Sequence, residues 1–358
     1  NILVMSDVGQ TKSAEPPGLY RAQTVRIWAK RNGSYHADLL MSGGDQTEDT
    51  YDDEYRDFFL EPLSPIIKNT PVYPVVGNND AQDGRVSVYY RNFTLPQNGE
   101  SGGYPSGSEG FYSVDYDNVH MVFLATDGVK DIGKKSGSQY KWLLSDMEYY
   151  RKNRRLLDWL LVILHHPMHS GGGKGSDASN WQRTIKGLYL PLLEDYGVDL
   201  IMAGHNHVYE RSYYVYDANR SVKEMAPYIL DSGDGREDGN GVYEKQKADN
   251  AASEKGEVFI TVLSPEPSQE LPSTYYSNGY PTLFYHFFDL ADSTNSKFDR
   301  HAGYMNLKII GKVLHAEVYG KRWQEEEKEA RVLDFFTIDK SKITYLPEAH
   351  GFGYSKID

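Results

Sequence analysis

Short apolar runs that end on polar residues recur along the first 207 positions of the chain. Residues 2–5 stop at Ser6-Asp7, residues 37–41 at Ser42-Gly43-Gly44-Asp45, and residues 72–76 at Gly77-Asn78. Residues 156–164 stop at His165-His166, and residues 199–203 at Gly204-His205-Asn206-His207. Runs this short, bounded by turn residues, predict buried strands. Between them, residues 22–31 (Val25, Ile27, Trp28), 51–60, 139–151 and 181–195 carry helical spacing. Strands alternating with helices predict an α/β fold with parallel strands and helical crossovers. In such sheets ligands bind beyond the carboxyl ends of the strands, which is where these polar residues fall.

After residue 207 the pattern changes. Residues 213–216, 258–262, 283–289, 304–310, 313–319 and 332–338 read as strands, expected to be antiparallel, with Gly311-Lys312 as a hairpin turn. Residues 111–115 and 119–125 predict a further hairpin about Asp117-Asn118. Residues 96–110, 171–179, 231–256 and 265–279 read as loops, and loops of this length are often functional. The expectation is one domain over residues 1–340 and a C-terminal tail over 341–358.

Charge and composition then narrow the classes. Of 358 residues, 51 are Asp or Glu and 38 are Lys or Arg, a net charge of −13, which argues against binding to duplex nucleic acid. The chain contains no cysteine, so disulfides, thiolate ligands and a cysteine nucleophile are excluded. No apolar stretch reaches the length of a membrane span. The sequence opens at Asn1 within an apolar run. With the acidic, cysteine-free and tyrosine-rich composition, this start is the basis for expecting a processed, periplasmic or secreted bacterial protein.

Asp7, Asp45, Asn78, His165, His205 and His207 together supply two carboxylates, one amide oxygen and three imidazoles. Taken singly, an Asp or Asn beside Gly is most often a turn residue. Taken together, oxygen and imidazole donors from separate strand ends suit Mn, Fe, Zn or Mg rather than copper-thiolate chemistry, and two ions of Mn, Zn or Fe are expected. A carboxylate such as Asp45 can bridge two ions about 3.5–4 Å apart, the separation of two-metal hydrolases.

The residues also carry a resemblance. Ser6-Asp7-Val8-Gly9-Gln10-Thr11, Gly44-Asp45, Gly77-Asn78, Val162-Ile163-Leu164-His165 and Gly204-His205-Asn206-His207-Val208-Tyr209-Glu210-Arg211 resemble, in order and spacing, the calcineurin-like metallophosphoesterases. Within that group they are most similar to the purple acid phosphatases. The resemblance implies a four-layer α/β/β/α sandwich of two mixed sheets flanked by helices. It implies Asp7 and His207 on one metal ion, Asp45 bridging, and Asn78, His165 and His205 on the second. His166 and His169 become substrate-facing or supporting candidates, and Arg211 a structural partner. The implied activity is metal-dependent hydrolysis of a phosphorylated small molecule, a phosphomonoester first. A phosphodiesterase acting on nucleotides or lipid head groups, or an inactive phosphate-ligand binding protein, are the alternatives.

Two positions depart from the family pattern. Glu48 stands where the purple acid phosphatases place a tyrosine ligand; it is either a replacement oxygen ligand or an exposed loop acid. Tyr51 is a weaker substitute because its spacing differs. Asn79 stands where the family has a histidine that helps protonate the leaving oxygen. Three explanations stay open. The chain could carry a deliberate inactivating substitution. It could be a natural variant using another acid, such as His166, His169 or Asp80. Or it could be a member that binds phosphate without turning it over.

Overall fold

The computed structural model of the chain describes residues 1–9, 37–153, 156–170, 179–207, 209–221, 224–247, 254–262, 284–287, 301–322 and 331–343. The expected helix over residues 22–31 and the loop over 265–279 lie outside them, as do residues 171–178 and the tail beyond residue 343.

The parallel strands form from the apolar runs: β1 (Ile2–Met5), β2 (Leu39–Ser42) and β3 (Val72–Pro74). Between β2 and β3 the chain is helical from α1 (Asp52–Glu54), through a π-helical segment (Tyr55–Leu60), to α2 (Glu61–Ile67). Tyr55, Phe59, Leu63 and Ile66 recur every three or four residues and are all buried, the stripe expected of a helix lying on a sheet. There follow α3 (Val86–Asn92), the hairpin of β4 (Tyr112–Tyr116) and β5 (Val119–Leu124), α4 (Ser138–Lys152), β6 (Trp159–Leu164), α5 (Asn180–Asp195) and β7 (Leu200–Ala203).

The second half adds β8 (Glu210–Ser212), β9 (Tyr214–Val215), β10 (Ile229–Asp231), β11 (Tyr243–Glu244), β12 (Gln246–Lys247), β13 (Glu254–Lys255) and β14 (Val258–Thr261). It closes with β15 (Phe284–Phe287), β16 (His301–Ile310), β17 (Val313–Arg322) and β18 (Arg331–Asp339).

Two seven-stranded mixed sheets result, ordered β11-β18-β17-β16-β1-β2-β3 and β15-β8-β14-β7-β6-β5-β4. In the first, β1, β2 and β3 are parallel and β16 joins β1 antiparallel. In the second, β5, β6, β7 and β14 are parallel. The sheets pack face to face, and β6 shows why its sequence is apolar throughout. Trp159, Leu161 and Ile163 enter the core shared with the first sheet, whereas Leu160, Val162 and Leu164 pack under α4 and α5 with Leu143, Met147, Tyr189 and Leu193. The α/β/β/α sandwich expected from the resemblance is the fold of the chain.

Three expectations need correction. Residues 258–262 do not form a purely antiparallel strand: β14 is parallel to β7 and antiparallel to β8. The loop expected over residues 231–256 contains the short strands β11, β12 and β13. The strand β8 was not expected, because Glu210, Arg211 and Ser212 are polar and yet fully buried. Arg211 donates to Asp334 Oδ2 at 2.6 Å, to the Tyr243 hydroxyl at 2.7 Å and to the Asp234 carbonyl at 3.0 Å, so it is a structural link between the two sheets. No helix among the described residues is long and apolar enough to cross a membrane.

Candidate metal centre

Five parallel strands from the two sheets end on one side of the sandwich. β1, β2 and β3 hand over to Asp7, Asp45 and Asn78; β6 and β7 hand over to His165, His205 and His207. The loops are sewn together by backbone bonds: Asp7 N–H to the Gly44 carbonyl at 2.9 Å, Gly43 N–H to Met5 at 2.8 Å, and Gly204 N–H to His165 at 3.0 Å. Asp7, Asp45, His205 and His207 all have left-handed backbones, with φ of 55°, 52°, 70° and 51°. Asp and His tolerate that region better than most residues, and such strain clusters at functional sites. Glycine is required beside them. A Cβ on Gly204 would lie 1.8 Å from Ser6 Oγ and 2.5 Å from Asp7 Oδ2, and one on Gly44 would lie 2.4 Å from His165 Nδ1.

The side chains converge. Ligand atoms of Asp7, Asp45 and His165 lie within 4.8 Å of one another, as do those of His165, His166 and His205. His165 Nε2 is 3.1 Å from Asn78 Oδ1, 3.3 Å from His205 Nδ1 and 3.4 Å from Asp45 Oδ2. Its Nδ1 is 2.8 Å from the Gly43 carbonyl, which fixes the ring and leaves Nε2 facing the cluster. His207 Nε2 is 3.2 Å from Asp7 Oδ1. The Ser6 hydroxyl and the His205 N–H donate to Asp7 Oδ2 at 2.6 and 2.9 Å.

The donor set fits a cation. His207 Nε2 is buried and faces only the Asp7 carboxylate, at 3.2 Å and without good hydrogen-bond geometry, among the described residues. Two buried carboxylates and facing imidazole nitrogens are donor atoms of the kind a cation takes. Burial opposes a charged His165, but Asp45 and Asp7 outweigh it and raise that imidazole to about 10. Burial likewise opposes ionisation of Asp7, yet His207, His165 and Ser6 hold its carboxyl well below the ordinary carboxylate range. The cluster thus attracts positive charge, which metal ions can supply as well as protons.

The remaining candidates divide. Asn79 is at the cluster: its N–H donates to Asp45 Oδ1 at 2.8 Å. His166 is also there, its ring centroid 4.0 Å from that of His205. His169 is not brought to the cluster. It is buried with Nε2 2.6 Å from the Ala218 carbonyl and its ring edge-on to Phe259. Burial and nearby Lys186 push its pKa well down, so it stays neutral. Glu48 is half-buried and belongs to neither converging group, and Tyr51 is exposed beneath the Arg85 guanidinium. Asp80 is fully buried, accepting from Gly77 N–H at 2.9 Å, Gln46 N–H at 3.1 Å and the Tyr55 hydroxyl at 2.9 Å. Burial and the Asp45 charge push its carboxyl up to about 7. It braces the loops that carry Asp45 and Asn78. Asp127 was missed by sequence reasoning: it pairs with His166 Nδ1 at 2.9 Å. Its signal was present, because Asp127-Gly128 follows the apolar run of β5 just as Asp45 follows that of β2.

The family model for calcineurin-like phosphoesterase matches residues 1–209. Purple acid phosphatase 23 of Arabidopsis thaliana is 30% identical over 183 residues, covering 49% of this chain and 36% of that protein. Acid phosphatase type 7 of Homo sapiens is 28% identical over 246 residues, covering 65% of this chain and 52% of that protein. The chain therefore spans about a third to a half of these relatives' length. The structure of a purple acid phosphatase from yellow lupin (Lupinus luteus) seeds superposes with a TM-score of 0.60 at 16% identity, over 95% of this chain and 53% of that one, a likeness of fold.

Proposed function

This chain belongs to the calcineurin-like phosphoesterase family, and from that premise we propose that it hydrolyses phosphomonoesters at a centre of two metal ions, Mn, Zn or Fe. The observation that carries the reading is the convergence of six oxygen and imidazole donors from five strand ends, with His165 Nε2 facing Asn78, His205 and Asp45 and the buried His207 Nε2 facing Asp7. In this reading Asp7 and His207 would hold one ion, Asn78, His165 and His205 would hold the other, and Asp45 would serve both. Such ions, when bound, activate water and neutralise charge on the phosphoryl group.

The chain's own residues do the rest. The Gly43 carbonyl orients His165, Asp80 holds the loops of Asp45 and Asn78 against each other, and the Asn79 side chain can donate a hydrogen bond to a phosphoryl oxygen. It cannot give up a proton. Loss of general-acid help costs about 10²–10⁴ in rate, which is the impairment expected here. We assign that role to neither His169 nor Asp80, because both are buried, His169 with Nε2 on the Ala218 carbonyl and Asp80 with its carboxyl on Gln46, Gly77 and Tyr55. One observation, Asn79 itself, favours a second reading in which the site holds a phosphate ester without turnover. We take residues 1–340 as the catalytic domain, since β18 ends at Asp339 and the buried Lys340 ammonium pairs with Asp199 at 3.1 Å. A periplasmic or secreted setting belongs to the same proposal and is read by cell fractionation.

The test is hydrolysis of p-nitrophenyl phosphate and bis-p-nitrophenyl phosphate by metal-stripped protein resupplied with Mn, Zn or Fe. The reading expects metal-dependent release from the monoester, faster than from the diester. Metal-independent activity, or none from the chain and from Asn79→His alike, would overturn it.

A further inference from the structure

His166 lies beside the proposed centre and is held from behind. Its Nδ1 is 2.9 Å from Asp127 Oδ2 and 3.1 Å from Thr126 Oγ1, and the Thr126 hydroxyl donates to Asp127 Oδ2 at 3.0 Å. With the Nδ1 proton committed to that carboxylate, Nε2 is the nitrogen left for a ligand. His165, His166 and His205 each offer a donor atom, and the three lie within 4.8 Å of one another. The ring centroids are 5.2 Å apart for His165 and His166 and 4.0 Å apart for His166 and His205. A packed imidazole would not need this arrangement, whereas a carboxylate gripping the remote N–H of a histidine is the usual support of a metal-bound one.

We propose that His166 is itself a metal ligand, joining Asn78, His165 and His205 on one ion, with Asp127 and Thr126 fixing its orientation. The proposal rests on the two-ion reading of the site. A third imidazole makes that position nitrogen-rich, which suits Zn or ferrous iron and disfavours Mg. It also removes His166 as the substitute for the missing acid at position 79, because an imidazole bound through Nε2 and bonded through Nδ1 to Asp127 has no proton for the leaving group.

The experiment is zinc titration of the metal-free full chain by calorimetry, paired with visible absorption of the cobalt-loaded protein, for the parent, His166→Ala and Asp127→Asn. The expected parent result is two ions bound. Asp127→Asn should weaken one site about 10- to 100-fold and leave the other unchanged, the loss seen when such outer support is removed. His166→Ala should weaken the same site by at least that factor and alter the cobalt spectrum. Asp127→Asn, which keeps the shape of the side chain, serves as the gentler probe if His166→Ala folds poorly. Two zinc ions bound by both variants with parental affinity and an unchanged cobalt spectrum would overturn the assignment of His166 alone, whatever happens to the rate. A parent chain that binds no metal would overturn the two-ion reading with it.

Discussion

Asn78 Nδ2 donates to Asn79 Oδ1 at 2.7 Å, and this bond turns the Asn78 oxygen toward His165 Nε2, 3.1 Å away. The Asn79 N–H meanwhile donates to Asp45 Oδ1, and its carbonyl accepts from Thr50 Oγ1. Residue 79 therefore orients two proposed ligands while offering no acid. Asn79→His is expected to raise kcat on an alkyl phosphate by about 10²–10⁴, and less on p-nitrophenyl phosphate, whose leaving group needs little protonation. Steady-state kinetics on both esters check this; equal gains on the two would speak against an acid role for position 79.

Gly204 is the tightest point of the site. Gly204→Ala places a methyl into Ser6 Oγ and Asp7 Oδ2. The change should cost about 1–3 kcal/mol in stability and weaken metal binding together. Thermal unfolding with and without zinc reads both, and a variant with unchanged Tm and zinc stabilisation would show that the loop can yield.

His120 is a pH-dependent clamp outside the proposed metal centre. Its Nδ1 meets Asp115 at 2.6 Å and its Nε2 meets Asp146 at 3.0 Å, while Tyr149 donates to Asp115 and Tyr150 stacks on the ring. Burial opposes the charge, but the two carboxylates prevail and raise the imidazole to about 9. A pKa raised on folding gives stability that is complete below the unfolded value near 6.5 and disappears as pH rises to about 9. The contribution is about 3 kcal/mol at most. Urea midpoints of metal-free protein should fall across that window, and His120→Gln should reduce the slope, the remainder coming from His165, whose imidazole is also raised. A parental midpoint constant from pH 6 to 9 would rule the clamp out.

Arg211 and Asp334 are a fully buried pair that ties β8 to β18. Asp334→Ala strands the guanidinium and should cost about 3–5 kcal/mol. Chemical denaturation measures it; a loss below about 1 kcal/mol, the worth of an exposed pair, would mean that Tyr243 and Asp234 suffice.

Sequence and structure part company where burial is balanced from afar. Asp7, Asp45, Asn78, His165, His205 and His207 are legible because each ends an apolar run, and their convergence follows from parallel strands. β8 is not legible, because nothing local says that Arg211 will find Asp334 and Tyr243 or that Ser212 will accept from Phe259 N–H. The partner of β14 is equally hidden: the run 258–262 marks a strand but not that it lies parallel to β7. His166 and His169 look alike in sequence, three positions apart. Only the fold turns the first toward Asp127 and the second into the core.

Anomalous diffraction from crystals grown with zinc and recorded at the zinc edge reads the centre itself. Two peaks are expected about 3.5–4 Å apart. Asp45 should lie between them, with Asp7 and His207 beside one and Asn78, His165 and His205 beside the other. No peak among these residues, or a single one that Asp45 does not touch, would contradict the two-ion site.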